Sequence, residues 1–489
     1  MRLSLMLREL EAKIVCGEQD PDVSALVYDS RKVTEGACFV CIKGAKFDGH
    51  DAAFDCVKNG AKVIVAEREI EEVKASGATL VIVNDTRYAL AFMSAAWFGH
   101  PASKLTTIGI TGTKGKTTTT CLVKNVLEHA GRKVGLIGTI ETIIGDEHIP
   151  AKNTTPESYI LQETFAKMVE AGLDSVVMEV SSQALMQHRC QGFVYDIGVF
   201  TNLSPDHIGP DEHSSLDEYI DCKAMLFKQC KVGIANLDDE HFDRIVSGHT
   251  CSLETFGLSE KCDLRATDIN LVKTAGRLGV TFKTGGSLKM DVEILAPGRF
   301  SVYNALCAIA ICRHFDISKE DIQEALLKTQ VKGRIEKVKV SDGYTVLIDY
   351  AHNAMALESI LKTLKEYDPG RLICLFGCGG NRAKSRRFEM GEVSGHLADF
   401  TIITSDNPRF EEPLDIIADI KTGISKTDGK YIEIPDRKEA IRYALKNAKH
   451  GDIIVLAGKG HEDYQEIKGV KYPMDERVLI SEIIKEENL

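Results

Sequence analysis

Residues 105–120 read LTTIGITGTKGKTTTT. The run Leu105–Ile110 has the length and β-branched content of a buried strand. Glycines follow it, and TTCLVKNVLEHA (119–130) then has the apolar spacing of a helix. Glycines let backbone N–H groups approach phosphate oxygens, and the N-terminus of the helix adds a positive field. Lys116 can reach β- and γ-phosphates, and the Thr117 hydroxyl can ligate Mg²⁺. The strict G-x-x-x-x-G-K-[ST] pattern is missed by one position, because its first glycine would fall at Ile110 whereas the glycines stand at 109, 112 and 115. The stretch predicts a strand, a phosphate-binding turn and a helix.

Outward from it, apolar strands alternate with helical stretches: KVGLIGT (133–139), SVVMEVSS (175–182), DIGVFTNL (196–203) and VGIANLD (232–238). Such alternation predicts a mostly parallel sheet covered on both faces. A second alternating set follows, YTVLIDYA (344–351), RLICLFGCGG (371–380), FTIITSDNP (400–408) and DIIVLAGKG (452–460), with short strands running into Gly-, Asp- or His-bearing loops. Upstream, ACFVCIKG (37–44), AKVIVAE (61–67) and TLVIVND (79–85) are strand-like. We expect three α/β units, 1–103, 104–331 and 332–489, with chemistry at the carboxyl ends of their strands.

Composition narrows the function classes. The 489 residues carry 60 Lys+Arg against 72 Asp+Glu, a net charge of −12, which argues against nucleic acid or an anionic membrane surface as a partner. The first fifteen residues, MRLSLMLRELEAKIV, scatter charge through apolar positions and predict an amphipathic helix rather than a signal peptide. No apolar run is long enough to span a membrane. Fourteen cysteines diluted through a large chain suit reduced thiols in the cytoplasm. Cys38 and Cys41 have CxxC spacing, but with no companion ligands nearby they predict a buried strand, Cys38 and Val40 on one face and Phe39 and Cys41 on the other.

Glu179 ends a buried-type strand, where a carboxylate is costly unless it is paired or metal-bound. Asp206, His207 and His213 fall in a polar loop, followed by Lys223 on a helix. Each has an ordinary reading as a solvated loop or surface lysine, and only the phosphate loop makes them candidates.

Taken together, the chain resembles the Mur ligases, ATP-dependent amino-acid ligases of peptidoglycan precursor synthesis. The matching segments run in family order: YDSRKV (28–33), TGTKGKTTTT (111–120), KNTTPES (152–158), MEVSSQALMQHR (178–189), TNLSPDH (201–207), CKAMLF (222–227), PGRFSVYNALCAIA (297–310), KGRIE (332–336), DYAHN (349–353), FGCGGNR (376–382), SDNPR (405–409) and GKGHEDYQ (458–465). The resemblance implies a three-domain α/β architecture, with a central P-loop ATPase parallel sheet and a C-terminal Rossmann-like domain. It implies ATP at Gly112, Thr113, Lys114, Gly115, Lys116, Thr117 and Thr118, with Asn304, Arg334, Asp349 and His352 also around the nucleotide. Ser30, Thr154, Thr155, Ser181, Gln187 and Arg189 would hold a UDP-muramoyl dipeptide.

DNPR (406–409) resembles the signature of the branch that adds meso-diaminopimelate. Arg382, Asp406, Asn407, Pro408, Arg409, Gly458 and Glu462 would line that amino-acid site. A second amino-acid head presents a carboxylate suited to a planar guanidinium, whereas a lysine side chain would be repelled by Arg409. Lys223 matches a lysine that the family carbamylates with CO₂, and two Mg²⁺ ions are implied at Thr117, Glu179, His207 and the carbamate. Lys116, Glu179, His207 and Lys223 would carry the catalysis, through an acyl phosphate, in a cytoplasmic monomer. A lysine-adding muramoyl ligase and a folylpolyglutamate synthase-like ligase are the alternatives. Two departures from the pattern are Lys114, where Asn is usual, and Ala354, where Pro commonly follows DYAHN.

Overall fold

The computed structural model describes residues 1–488 apart from 45–46, 206–207, 210–211 and 275–276, and the side chains of Thr274 and Arg277. His207 and Asp206 therefore lie outside the described residues. The chain divides into two compact units, Met1–Asp263 with Cys307–Ile317, and Leu264–Leu306 with Ser318–Leu489.

The first unit holds two sheets. Strands β1 (Ala12–Cys16), β2 (Leu26–Val27), β3 (Cys38–Val40), β4 (Val63–Ala66) and β5 (Thr79–Val83) are ordered β1-β5-β4-β3-β2, with only β1 antiparallel to its neighbour. The CxxC segment is the buried strand its pattern predicts. Cys38 and Val40 join one core cluster, while Phe39 and Cys41 join the cluster on the opposite face. Burial holds both thiols well above the ordinary cysteine range, so neither is poised for redox chemistry.

The N-terminal helix is a correction. Only Leu3–Met6 is helical, with Leu3 and Met6 buried, and the chain then becomes β1. Pairing β1 along β5 satisfies an edge that a longer helix would leave open, and this outweighs local amphipathicity.

The second sheet of this unit contains β6 (Thr106–Thr111), β7 (Val134–Ile137), β8 (Glu141–Ile144), β9 (Glu147–Pro150), β10 (Ser175–Glu179), β11 (Tyr195–Phe200), β12 (Cys230–Asn236) and β13 (Ser252–Gly257). Their order, β13-β12-β11-β6-β10-β7-β8-β9, is parallel from β13 to β7 and antiparallel at the β8–β9 edge. The strand that feeds the glycine loop, β6, is central, flanked by β11 and β10. Loops from all three leave the same end of the sheet, which is where ligands collect in parallel sheets.

The second unit carries an antiparallel set, β14 (Leu264–Thr274), β15 (Arg277–Gly286) and β16 (Asp291–Ile294), which the sequence reading missed. Its main sheet comprises β17 (Glu336–Val338), β18 (Thr345–Asp349), β19 (Leu372–Phe376), β20 (Phe400–Ile403), β21 (Tyr431–Glu433) and β22 (Ile453–Ala457), ordered β17-β18-β22-β19-β20-β21 and parallel from β18 to β21. Both faces are buried. Ile453, Val455 and Ala457 pack into one cluster, and Ile454 and Leu456 into the other, which explains why these strands read as unbroken apolar runs. A hairpin of β23 (Tyr464–Ile467) and β24 (Val470–Pro473) follows. Among the described residues no helix is long and apolar enough to cross a membrane.

Candidate active site

In the first unit the glycine loop is clamped by the strand end beside it. The Thr113 N–H donates to the Asn202 carbonyl at 2.8 Å, and the Lys114 N–H to Asn202 Oδ1 at 3.0 Å. The Lys114 carbonyl accepts from Thr201 Oγ1 at 2.8 Å and Asn202 Nδ2 at 3.0 Å. The backbone at 114 is thus held through groups that every side chain at this position shares. Gly112 has φ +148° and passes so close to β11 that a Cβ there would lie 2.0 Å from Thr201 Oγ1. Gly115 is left-handed (φ +84°) and starts the helix Lys116–His129.

Behind the loop lies a buried polar cluster. Glu179, 1% exposed at the end of β10, accepts from the Thr139 N–H at 2.8 Å and from the hydroxyls of Thr117 and Thr139 at 3.0 Å each. These donors offset the cost of burying a carboxylate. The Thr117 hydroxyl and Glu179 carboxylate are hard oxygen donors side by side, a set that suits Mg²⁺. Lys116 Nζ donates to the carbonyls of Gly112 (2.8 Å) and Thr113 (3.2 Å). Lys223, which is buried whereas Lys116 is only half-buried, donates to the same Gly112 carbonyl at 3.1 Å and lies 4.3 Å from the centre of the Tyr219 ring. As an ammonium Lys223 has only donors and cannot ligate a metal. His213 is fully buried rather than solvated, with Nε2 2.8 Å from Ser182 Oγ. Thr118 is half-buried on the helix.

The muramoyl set largely converges. Thr154 Oγ1 is 3.1 Å from Thr139 Oγ1, which reaches Glu179. Thr155 Oγ1 donates to the Glu179 carbonyl at 2.9 Å and accepts from the Ser181 N–H at 3.0 Å. Arg189 donates to the Thr155 carbonyl at 3.0 Å and to Gln187 Oε1 at 2.7 Å, and pairs with Glu157 at 2.9 Å. Ser30 stands apart in the turn Ser30–Lys32, sharing none of these hydrogen bonds.

In the second unit, side chains gather at the carboxyl ends of β18, β19, β20 and β22. Asp406 and Asn407 are buried just past β20. Gly458, just past β22, has φ +108°, and a Cβ there would lie 2.8 Å from Asp406 Oδ2. Asn407 Nδ2 donates to Glu462 Oε2 at 2.9 Å. Pro408 is buried, and Arg409 has left-handed backbone (φ +52°), held by its N–H to the Glu466 carbonyl at 3.0 Å. The Arg409 guanidinium donates to the Gly380 carbonyl at 2.6 Å and to Glu466 Oε2 at 3.3 Å. Arg382 is exposed and forms no ion pair among the described residues. Arg437, fully buried and missed by sequence reading, braces two of these loops through the carbonyls of Ser405 and Ala457 and pairs with Glu476.

Beside β18, Arg334 lies 4.8 Å from the Tyr350 ring centre, and that ring is 4.6 Å from His352 and 4.8 Å from His461. Asp349 accepts from the N–H groups of Ile335 (2.8 Å) and Ala351 (2.9 Å). Asn304 is buried on the helix Arg299–Cys312 and shares none of these contacts. Ala354 opens the helix Ala354–Lys365 behind the Asn353 cap, a position proline would also fit.

Burial, then the charges of Arg334, Lys332 and Arg477, hold the His461 imidazole down to about 4. A histidine with a lowered pKa keeps its full contribution above about pH 6.5, and loses it as the pH falls toward 4 because the unfolded chain protonates first. We expect His461→Gln to remove roughly 2 kcal/mol from the difference in unfolding free energy between pH 7 and pH 4.5, read from urea unfolding at the two values. An unchanged difference would refute it.

Residues 110–312 match the Mur ligase middle domain, 333–460 the Mur ligase glutamate ligase domain, and 22–98 the Mur ligase family catalytic domain. A UDP-N-acetylmuramoyl-L-alanyl-D-glutamate--2,6-diaminopimelate ligase of Caldanaerobacter subterraneus subsp. tengcongensis is 45% identical, with 99% of each chain covered. The chain is a Mur ligase. A ligase from Clostridium acetobutylicum with the same substrates in its name is 43% identical over 99% of this chain and 100% of that one. A solved structure of a UDP-N-acetylmuramoyl-L-alanyl-D-glutamate--2,6-diaminopimelate ligase superposes with TM-score 0.72 at 30% identity, covering 96% of both chains. The three-domain α/β fold of the Mur ligases is therefore the fold of this chain, with parallel strands in its N-terminal, middle and C-terminal sheets.

Proposed function

We propose that this Mur ligase joins meso-diaminopimelate to UDP-N-acetylmuramoyl-L-alanyl-D-glutamate at the expense of ATP, as a step of peptidoglycan precursor synthesis. The observation that carries the amino-acid assignment is the side-chain set past β20 and β22. A guanidinium and the Asn407 N–H suit a carboxylate and Glu462 suits an ammonium, which together match the second amino-acid head of diaminopimelate. The relatives named above support the same substrates. We place the domain seams near residues 103 and 331.

The γ-carboxylate of the D-glutamate attacks the γ-phosphorus of ATP, the bond to the bridging oxygen breaks, and ADP leaves an acyl phosphate. The diaminopimelate amine then adds to the acyl carbon, loses a proton, and expels phosphate to form the amide. Phosphoryl transfer of this kind depends on positioning and charge neutralisation. Lys116 offers an ammonium beside the loop, the helix that begins at Lys116 adds the positive field of its N-terminus, and Arg189 with Thr155 and Ser181 orients the muramoyl peptide.

Thr117, Glu179 and His207 would hold Mg²⁺, two ions in all, together with Lys223 once its neutral amine adds CO₂ and releases a proton to become a carbamate. Magnesium so held would neutralise phosphate charge. Lys223 and Lys116 reach the same Gly112 carbonyl, so a carbamate on Lys223 would stand beside the Lys116 ammonium. Asn304, Arg334, Asp349 and His352 would serve the nucleotide, and Arg382 the amino acid. We place the enzyme in the cytoplasm as a monomer; fourteen cysteines diluted through 489 residues suit a reducing compartment.

The test is phosphate release with ATP and UDP-muramoyl dipeptide plus meso-diaminopimelate, LL-diaminopimelate, lysine or glutamate in turn. Release only with meso-diaminopimelate is expected. Release with lysine instead would overturn the amino-acid assignment, and release with none would overturn the reaction.

A further inference from the structure

Lys459 has no place in the chemistry above, yet it is fully buried at the centre of the Asn407–Glu462 pair. Its ammonium donates to Asn407 Oδ1 at 2.9 Å, to Glu462 Oε2 at 2.8 Å and to the Tyr464 carbonyl. An ammonium has three N–H groups, and all three are used. Lys459 can therefore neither donate to a ligand nor act as a base without breaking this arrangement.

Its effect falls on its two neighbours. Asn407 Oδ1 also accepts from the Glu466 N–H at 2.9 Å, and two donors on that atom fix which end of the amide is oxygen. Asn407 Nδ2 must then turn to Glu462, which uses one of its hydrogens and leaves the other for a ligand. Glu462 in turn has Oε2 occupied by Lys459 and Asn407, while Oε1 makes no hydrogen bond among the described residues. The same Glu466 that binds the Asn407 oxygen through its N–H holds Arg409 through its carbonyl and carboxylate. One buried cation thus sets the orientation of a donor and an acceptor linked to the guanidinium.

We propose that Lys459 is the positioning residue of the amino-acid pocket: it turns the remaining Asn407 N–H toward the distal carboxylate and the open Glu462 oxygen toward the distal ammonium of a zwitterionic substrate, and so sets selectivity for diaminopimelate over lysine. This rests on the proposed function, and preorganised polar groups of this kind act on affinity rather than on the transferred phosphoryl group.

The test compares the full-length wild type with Lys459→Met, which keeps the stem and removes the charge, and with Lys459→Gln, whose amide can still satisfy part of the set. KM for meso-diaminopimelate, kcat, the kcat/KM ratio of diaminopimelate over lysine, and ADP formation without amino acid are measured. Lys459→Met is expected to raise KM tenfold or more and to lower the ratio at least fivefold, with ADP formation unchanged within twofold and Lys459→Gln in between. Loss of folded protein alone would lower kcat and ADP formation together at unchanged KM, and that result in both variants overturns the proposal. KM within twofold of wild type in folded Lys459→Met overturns it as well. Failure of the wild type to use diaminopimelate at all would instead refute the function on which it rests.

Discussion

Lys223→Ala is expected to lower kcat by about 10²–10³-fold, the usual effect of removing one preorganised electrostatic group. Short carboxylic acids such as formate or acetate are expected to restore part of the activity. The side chain is buried beside the glycine loop, where its ammonium shares the Gly112 carbonyl with Lys116. A carbamate on Lys223 would put an anion and two oxygen donors beside the Lys116 ammonium. Alanine leaves a space that a free carboxylate can enter to supply the oxygen donors a carbamate would provide. The measurement is phosphate release across a series of added acids, with Lys223→Arg as the control that fills the space and resists rescue. Full activity of unsupplemented Lys223→Ala would remove Lys223 from the mechanism.

Arg409→Ala is expected to raise KM for meso-diaminopimelate by about 10²-fold, corresponding to roughly 3 kcal/mol, in the range for a charge-assisted, bidentate contact. ADP formation without amino acid should be unchanged. The guanidinium is held in advance by the Gly380 carbonyl and Glu466, on backbone kept left-handed by the Glu466 and Lys468 bonds. Its Nη2 has no partner among the described residues, so one edge remains for a carboxylate. Arg409→Lys should recover only part of the loss, because an ammonium cannot reproduce the fork. Steady-state kinetics in varied diaminopimelate, with lysine as the comparison substrate, decides it. A KM within threefold of wild type would show that the carboxylate is held elsewhere.

Much of this site was legible because its residues sit in short, ordered motifs at strand ends. LTTIGITGTKGKTTTT announced a strand, a turn and a helix, and SDNPR and GKGHEDYQ lay where parallel strands terminate. Lys459 escaped notice although it stands between the matched Gly458 and the matched Glu462. In sequence it is one lysine among many charged residues, and only its complete burial reveals that its three bonds are satisfied inside the pocket. Thr201, Asn202 and Thr139 were likewise invisible as clamps, since each bonds a residue far away along the chain. The N-terminal segment misled for the converse reason: its local pattern favoured a helix, but the open edge of β5 claimed Ala12–Cys16 as a strand.

By itself the sequence determined what repeats locally or is carried by residue type: apolar strands buried on both faces, a glycine turn able to approach phosphate, a guanidinium suited to a carboxylate, and a net charge of −12 that leaves anion binding to local groups. Tertiary structure alone decided which distant side chains share an atom. It put Lys116 and Lys223 on one carbonyl, bonded Thr117 and Thr139 to Glu179, and saturated Lys459 between Asn407 and Glu462. The physical reason is that hydrogen bonds are short and directional, so partners 40 to 111 residues apart are chosen by where strands end in a sheet, and a one-dimensional pattern carries no record of that.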